Sequence, residues 1–153
     1  MITEIKGCDL PLEANMVRKI VKDESVLKQK SEDFVVGQDD YLITDMIDTA
    51  NAHKDNCAGL ACVQIGIAKR IVLVRVGDNF IPFINPVIIK KSPKTYMAKE
   101  GCLSLDGAKI VKRHNSVMLV YANIDGKRIV KEFSGRTAQI IQHEVDHCNG
   151  ILI

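Results

Sequence analysis

The feature that most limits the fold is the order of apolar patterns along the chain. From Asp39 or Asp40 to about Lys54, apolar residues recur at helical spacing, which predicts an amphipathic helix that either aspartate caps. Residues typical of strands follow, in runs at 70–76, 80–89, 116–124 and 127–133. A second helical pattern ends the chain. Helix, short strands and helix in this order favour an α+β fold with antiparallel sheets over a doubly wound parallel sheet.

Two turns are predicted between these strands. Asp78-Asn79 separates the first two runs, and Asp125-Gly126 separates the last two. An Asp-Gly pair is a strong signal for a two-residue hairpin turn, because both of its turn positions need a positive φ angle.

The last helix is predicted to begin at Ser134, a good N-cap residue, and to stop at Asn149-Gly150. Ala138, Ile141 and Val145 form one apolar stripe, with Ile140 beside it. The stripe indicates that this helix packs inside the domain.

Composition limits the class of protein. The chain has 153 residues, 46% of them hydrophobic and 26% charged, as expected for a single globular domain. A net charge of +2 with no dense basic stripe does not predict nucleic-acid binding. Residues 1–15 resemble neither a signal peptide nor a membrane segment, and we interpret them as an N-terminal extension or a cloning remnant before a single domain at 16–153. Five scattered cysteines do not indicate a disulfide framework, so we expect the protein to be located in a reducing cytoplasm.

The last helix carries a candidate metal motif, His143-Glu144-Val145-Asp146-His147. Side chains four apart on a helix lie one above the other, so His143 and His147 can bind one ion while Glu144 reaches a water on it. Three polar residues on a solvated helix face give the same pattern. The packed helix favours the metal, because two buried imidazoles without partners are costly.

A metal site needs a further ligand from elsewhere in the chain, and Asp, Glu, His and Cys are all candidates. Cys102, between two strand regions in Glu100-Gly101-Cys102-Leu103-Ser104, stands out. A free cysteine is more often a small buried hydrophobe, so the residues alone leave this assignment open.

Three ordered motifs resemble the signatures of the peptide deformylase family. Residues 100–104 (EGCLS) and 142–147 (QHEVDH) look like its second and third motifs without substitution. Residues 57–64 (CAGLACVQ) resemble its first, G-x-G-L-A-A-x-Q, with Cys57 and Cys62 in place of glycine and alanine. Both cysteines are interpreted mainly as core residues. The resemblance covers about Met16 to Ile153.

The resemblance implies a central helix surrounded by antiparallel sheets, and the release of formate from N-formylmethionyl peptides. It implies that Cys102, His143 and His147 bind the metal and that Glu144 is the general acid/base for water activated by it. It further implies that Gln64 and the backbone N–H of Leu103 bind the formyl oxygen, while the Gly59 backbone binds the substrate chain. Arg113 resembles the family arginine that pairs with Asp146, and Gln139 is expected to border the pocket for the substrate's methionine.

The cofactor and partners are expectations of the same kind. Fe(II) is implied as the native ion, while Zn(II), Ni(II) and Co(II) suit the same ligands. Nascent chains at the ribosome are compatible partners, although the chain ends at Ile153 without the further helix that docks some family members there. No membrane or direct nucleic-acid partner is expected. The alternatives are a non-catalytic deformylase-like protein with a structural metal, and another H-E-x-x-H hydrolase such as a peptidase.

Overall fold

The structure is a computed structural model that describes residues 16–153; the predicted extension, residues 1–15, lies outside this range. The helices are α1 (Glu24–Leu27), α2 (Tyr41–Ala52) and α3 (Gly135–Cys148). Short 3-10 turns span Lys54–Asn56 and Cys62–Ile65. The strands are β1 (Gly59–Ala61), β2 (Ile71–Val76), β3 (Asn79–Lys91), β4 (Thr95–Gly101), β5 (Ala108–His114), β6 (Ser116–Ala122) and β7 (Arg128–Ser134).

The strands form two antiparallel sheets. The larger one has the order β1-β2-β3-β6-β7, and the smaller one is the hairpin β4-β5. This arrangement confirms the α+β class with antiparallel sheets and a C-terminal helix. The hairpin β4-β5 and the short strand β1 carry parts of the deformylase-like motifs, and neither was predicted as a strand from the sequence.

Strand β2 lies in the middle of the core because helices cover both faces of the large sheet. Ile71 and Leu73 pack in one apolar cluster with α2, while Val72 and Val74 pack in a second cluster with α3. Successive side chains of a strand point to opposite faces, so a strand that is covered on both sides needs a continuous apolar run. The sequence at 71–74, Ile-Val-Leu-Val, meets that requirement.

The predicted Asp125-Gly126 turn is present, but its type was wrong. The last pair of the β6-β7 hairpin is Ala122 with Arg128, so the loop has five residues, 123–127. Only Gly126, at φ +83°, has a left-handed backbone in this loop. The Asn123 side chain accepts hydrogen bonds from the N–H groups of Asp125 and Lys127, both at 3.0 Å. These bonds hold the longer loop, which the two-residue rule did not take into account.

The other predicted turn is displaced by one residue. Val76 pairs with Asn79, so the turn consists of Gly77 and Asp78 instead of Asp78-Asn79. Gly77 adopts φ +64°. A glycine takes this conformation without steric cost, which explains why the turn forms there.

Both long helices lie close to their predicted bounds, but without the predicted side-chain caps. Neither Asp40 before α2 nor Ser134 before α3 donates or accepts a capping hydrogen bond through its side chain. The Asp40 carboxylate instead accepts the Gly37 N–H at 2.8 Å. No helix among residues 16–153 is both long enough and apolar enough to cross a membrane.

The predicted stop of α3 is confirmed at Gly150, which has φ +76°. A Cβ atom at this position would also collide with the carbonyl group of Lys28. The segment after α1 approaches the helix end here, and the Ser31 N–H donates to the Cys148 carbonyl at 2.9 Å. The end of α3 is therefore closely covered by the N-terminal part of the domain.

Gly150→Ala is expected to lower the free energy of unfolding by more than the roughly 1–2 kcal/mol that a left-handed alanine costs, because the new methyl group also displaces the Lys28 backbone. Gly37→Ala is the matched control: it has φ +92° with nothing within 4 Å of the added atom. Urea unfolding of both variants measures the difference. Equal losses would contradict the close packing at Gly150.

Candidate metal centre and active site

The polar motif of α3 lies on the buried side of the helix. His143, Glu144 and His147 are buried together with the apolar stripe Ala138, Ile141 and Val145. The reading of this motif as a solvated helix face is therefore wrong. Buried polar groups require partners, so the neighbours of these three side chains define what the site can do.

Three potential metal ligands converge at this position. Cys102, directly after β4, and the two histidines of α3 offer ligand atoms that all lie within 4.8 Å of one another. The Nε2 atoms of His143 and His147 are 3.3 Å apart, and Cys102 Sγ is 3.4 Å from His147 Nε2. A thiolate with two imidazole nitrogens is a donor set suited to Zn(II), Fe(II), Ni(II) or Co(II). The residues present therefore fit such an ion.

Glu100 connects this centre to the hairpin and was missed by the sequence reading. Its Oε1 atom lies 2.8 Å from His143 Nδ1 and accepts a 2.6 Å bond from Arg113, while Oε2 accepts a second bond from Arg113 at 2.9 Å. Arg113 also donates to Asp146 at 2.7 Å, so the predicted Arg113–Asp146 pair is present. The sequence did contain one indication that Glu100 has a special role, because it is one of only two acidic residues between positions 90 and 115.

This network affects the ionisation of its members. Burial acts to raise the pKa of Glu100, but hydrogen bonds from Arg113 and His143 outweigh it and lower the pKa to about 2. Burial acts to lower the pKa of His143, but its bonds with Cys102 and Glu100 raise it to about 10. Burial and the neighbouring His143 lower the pKa of His147 to about 3. Without an ion, His143 is therefore cationic and His147 neutral at neutral pH, and an ion bound by both rings would displace the proton from His143 Nε2.

Glu144 lies next to this centre with an unusual environment for a carboxylate. Burial raises its pKa to about 7. Its Oε1 atom has no hydrogen-bond partner among the described residues. A Cβ atom at Gly59 would lie 2.7 Å from Glu144 Oε2 and 2.8 Å from the Leu73 carbonyl oxygen. Gly59 therefore leaves the space that the carboxylate occupies, and any side chain there would displace it.

Gln64 presents its amide to the same place. Its Oε1 accepts the Ala61 N–H at 2.9 Å, which fixes the orientation of the group. Its Nε2 then faces Cys102 Sγ at 3.3 Å and Ser104 Oγ at 3.2 Å. The contact between Ser104 and Gln64, like the role of Glu100, was not predicted from the sequence. The Leu103 backbone N–H, one residue after Cys102, has no hydrogen-bond acceptor within residues 16–153.

A cavity of about 510 Å³ opens onto these groups. Its wall includes Gly59, Gln64, Leu103, His143 and Glu144. Gln139 also borders it, as expected, and donates to Glu100 Oε2 at 3.0 Å while it accepts from the Tyr96 hydroxyl at 3.2 Å. Of the seven residues predicted to bind metal or substrate or to act in catalysis, six line this cavity, and the seventh, His147, lies in the ligand cluster at its side.

The two cysteines of the first motif are buried, in agreement with their interpretation as core residues. Burial raises the pKa of both Cys57 and Cys62 to about 12, so both remain neutral thiols. The Cys57 thiol donates to the Gly59 carbonyl at 3.2 Å.

The chain is similar in sequence to proteins named peptide deformylase. The family model described as polypeptide deformylase matches residues 17–153. A peptide deformylase of Clostridium beijerinckii is 45% identical over 138 residues, which cover 90% of this chain and 100% of the relative. A peptide deformylase of Thermotoga neapolitana is 37% identical over 142 residues, which cover 90% of this chain and 85% of the relative.

Solved structures give the same result for the fold. The Met-Ala-Ser-bound class I type b peptide deformylase of Acinetobacter baumannii has a TM-score of 0.81 at 30% identity, with 91% of this chain and 97% of that chain covered. The peptide deformylase of Ehrlichia chaffeensis in complex with actinonin has a TM-score of 0.83 at 31% identity, with 90% of this chain and 86% of that chain covered. The family match over nearly the whole described chain shows that this protein belongs to the polypeptide deformylase family of enzymes.

Proposed function

We propose that residues 16–153 form a single catalytic domain that removes the formyl group from N-formylmethionyl nascent peptides and releases formate. The observation that carries the proposal is the convergence of Cys102, His143 and His147 beside the buried Glu144 carboxylate, at the wall of one cavity. The proposed cofactor is one divalent ion held by Cys102, His143 and His147, with Fe(II) as the native metal. The proposed location is the cytoplasm, where nascent chains arise.

When bound, the ion would supply Lewis-acid chemistry, polarising a water molecule and a carbonyl group. Glu144 acts as the general acid/base in this proposal. A pKa of about 7 suits both tasks, because the carboxylate can accept a proton from water and return it to the leaving amine near neutral pH. Its position against Gly59 holds it at the cavity wall without a competing hydrogen bond to Oε1 from the described residues.

Gln64 and the Leu103 N–H are the proposed donors to the formyl oxygen. The Ala61 N–H holds the Gln64 amide with its donor side towards Cys102, so the group needs no reorientation when charge develops on the oxygen. A fixed donor of this kind is worth about 3–4 kcal/mol in acyl transfer. The backbone of Gly59 is the proposed contact for the substrate chain.

Glu100 and Arg113 are proposed to position the metal ligands. The Glu100 carboxylate orients the His143 ring through Nδ1, which leaves Nε2 directed at Cys102 and His147. Arg113 holds Glu100 with two hydrogen bonds and reaches Asp146 with a third, which joins β5, β4 and α3. A structural metal site needs neither Gln64 nor Glu144, and the family match speaks against an unrelated H-E-x-x-H peptidase.

Glu144→Gln tests the proton-transfer role, because the amide keeps the shape of the side chain but cannot act as a base. We expect formate release from formyl-Met-Ala-Ser to fall by roughly 10²–10⁴-fold while the bound iron is retained. The assay uses anaerobically purified, iron-loaded protein. Glu132→Gln, an exposed glutamate on β7, is the control and keeps its activity. An inactive, fully iron-loaded wild type would favour the structural-metal alternative.

Cys102→Ser tests the ligand assignment, since a hydroxyl group is a much weaker ligand than a thiolate for these ions. The expected result is a loss of metal affinity of more than about tenfold. Mutation of a residue that only hydrogen-bonds to a metal ligand already costs about tenfold or more, and loss of the ligand itself should cost more than that. Competition with a chelator measures the affinity. Cys62→Ala removes a buried thiol outside the ligand set and leaves the affinity unchanged. Equal affinity of Cys102→Ser and wild type would refute the assignment.

Arg113→Ala leaves the buried Glu100 carboxylate without its two hydrogen bonds from the guanidinium group. We expect a loss of roughly 3–5 kcal/mol in the free energy of unfolding, and a metal affinity lower by about 10–100-fold. Arg113→Lys restores a charge but not the two-pronged contact with Glu100, so it is expected to lie between the alanine variant and wild type. Chelator competition is measured at a temperature at which circular dichroism shows both variants folded. Unchanged metal retention in Arg113→Ala would rule out the positioning role.

A further inference from the structure

A second cavity adjoins the one described above. It has a volume of about 630 Å³. The two cavities share Asn56, Ala58, Arg136 and Ile140 in their walls. Because these shared residues belong to both linings, the two spaces form one continuous depression that starts beside Glu144 and runs along residues 54–59.

The strand that borders this depression has one edge that carries no partner strand among the described residues, although its Ala61 N–H donates to Gln64 and its Gly59 carbonyl accepts from Cys57. Strand β1 is the last in its sheet and pairs only with β2 within the described part of the chain. An extended peptide can add to such an edge through main-chain hydrogen bonds. At about 3.3 Å per residue, a peptide that starts beside Glu144 covers roughly 10 Å in three residues. Its third or fourth residue would then lie against the second cavity.

The second cavity has an excess of positive charge. Lys54, Arg75 and Arg136 line it, against the single acid Asp55. Arg75 is engaged by the fold, since it donates to the carbonyl groups of Lys54 at 2.7 Å and Gly77 at 3.0 Å. Lys54 and Arg136 form no ion pair with any residue in 16–153. Their charges are available to a ligand.

We infer that this second cavity selects formylated peptides with an acidic side chain at the third or fourth residue, and that Lys54 and Arg136 are the specificity-determining residues. The inference rests on the proposed deformylase function. The contact is between groups at the protein surface, where a pair of opposite charges contributes modestly and is weakened by salt. The selectivity is therefore a preference among substrates and not a requirement for turnover.

The experiment compares amidated peptides formyl-Met-Ala-X-Ala with X as Asp, Asn or Lys, on iron-loaded wild-type protein. We expect kcat/KM for Asp to exceed that for Lys by about fivefold at low salt and to approach it in 0.5 M NaCl. The double variant Lys54→Glu/Arg136→Glu is expected to reverse the order. Lys22→Glu changes an exposed lysine that lines neither cavity, and it keeps the wild-type ratio.

Binding of the products Met-Ala-X-Ala to the same iron-loaded protein separates this inference from the proposed function, because it needs no turnover. Tighter binding of the Asp product than of the Lys product supports the inference, even if no formyl peptide is hydrolysed. Failure to hydrolyse any formyl peptide would refute the proposed function but not this inference. Hydrolysis of all three formyl peptides with an Asp-to-Lys ratio near one would refute the inference and leave the function intact. An unchanged ratio in the double variant would also refute it.

Discussion

The buried contact of Glu100 with Arg113 and His143 determines how the two halves of the candidate centre meet. Cys102 lies in the loop between β4 and β5, and the histidines belong to α3, so the three ligands depend on the relative placement of hairpin and helix. Within residues 16–153, the hairpin forms a sheet of its own and shares no ladder with the larger sheet. Its attachment to α3 includes the Glu100 and Arg113 bonds, and Gln142, whose amide bonds both the N–H and the carbonyl of His114.

The same network shows why a charged cluster is placed inside the domain. An isolated buried carboxylate or guanidinium is costly, but here each charge faces at least one opposite charge in direct contact. Glu100 accepts bonds on both of its oxygens, and Arg113 donates from three of its nitrogens. These directional contacts fix the orientation of hairpin and helix more narrowly than apolar packing, which has no preferred direction.

Much of this structure could be predicted from local patterns, and the failures have physical causes. The spacing of apolar residues identified α2 and α3, and Asn149-Gly150 marked the end of α3, because periodicity and left-handed glycines are local properties. The turn before β7 was misjudged because the Asn123 side chain stabilises a longer loop. The Glu100 contacts could not be read from spacing, since residues 43 positions apart meet only through the tertiary fold. The two histidine ligands were expected from their helical spacing, whereas Cys102 was expected only from the family motifs, because the residues by themselves left it undecided.

The attachment of the hairpin β4-β5 has a consequence for cooperativity. Units that are joined mainly by a few polar contacts can open separately from the rest of a domain, at a free energy below that of global unfolding. Any ion bound jointly by Cys102 and the histidines of α3 would close a loop of 40 residues between Cys102 and His143, and would add its binding free energy to that local equilibrium. With an ion bound, the candidate centre would cross-link the hairpin to α3, and slow hydrogen exchange in β4 and β5 would then measure metal occupancy.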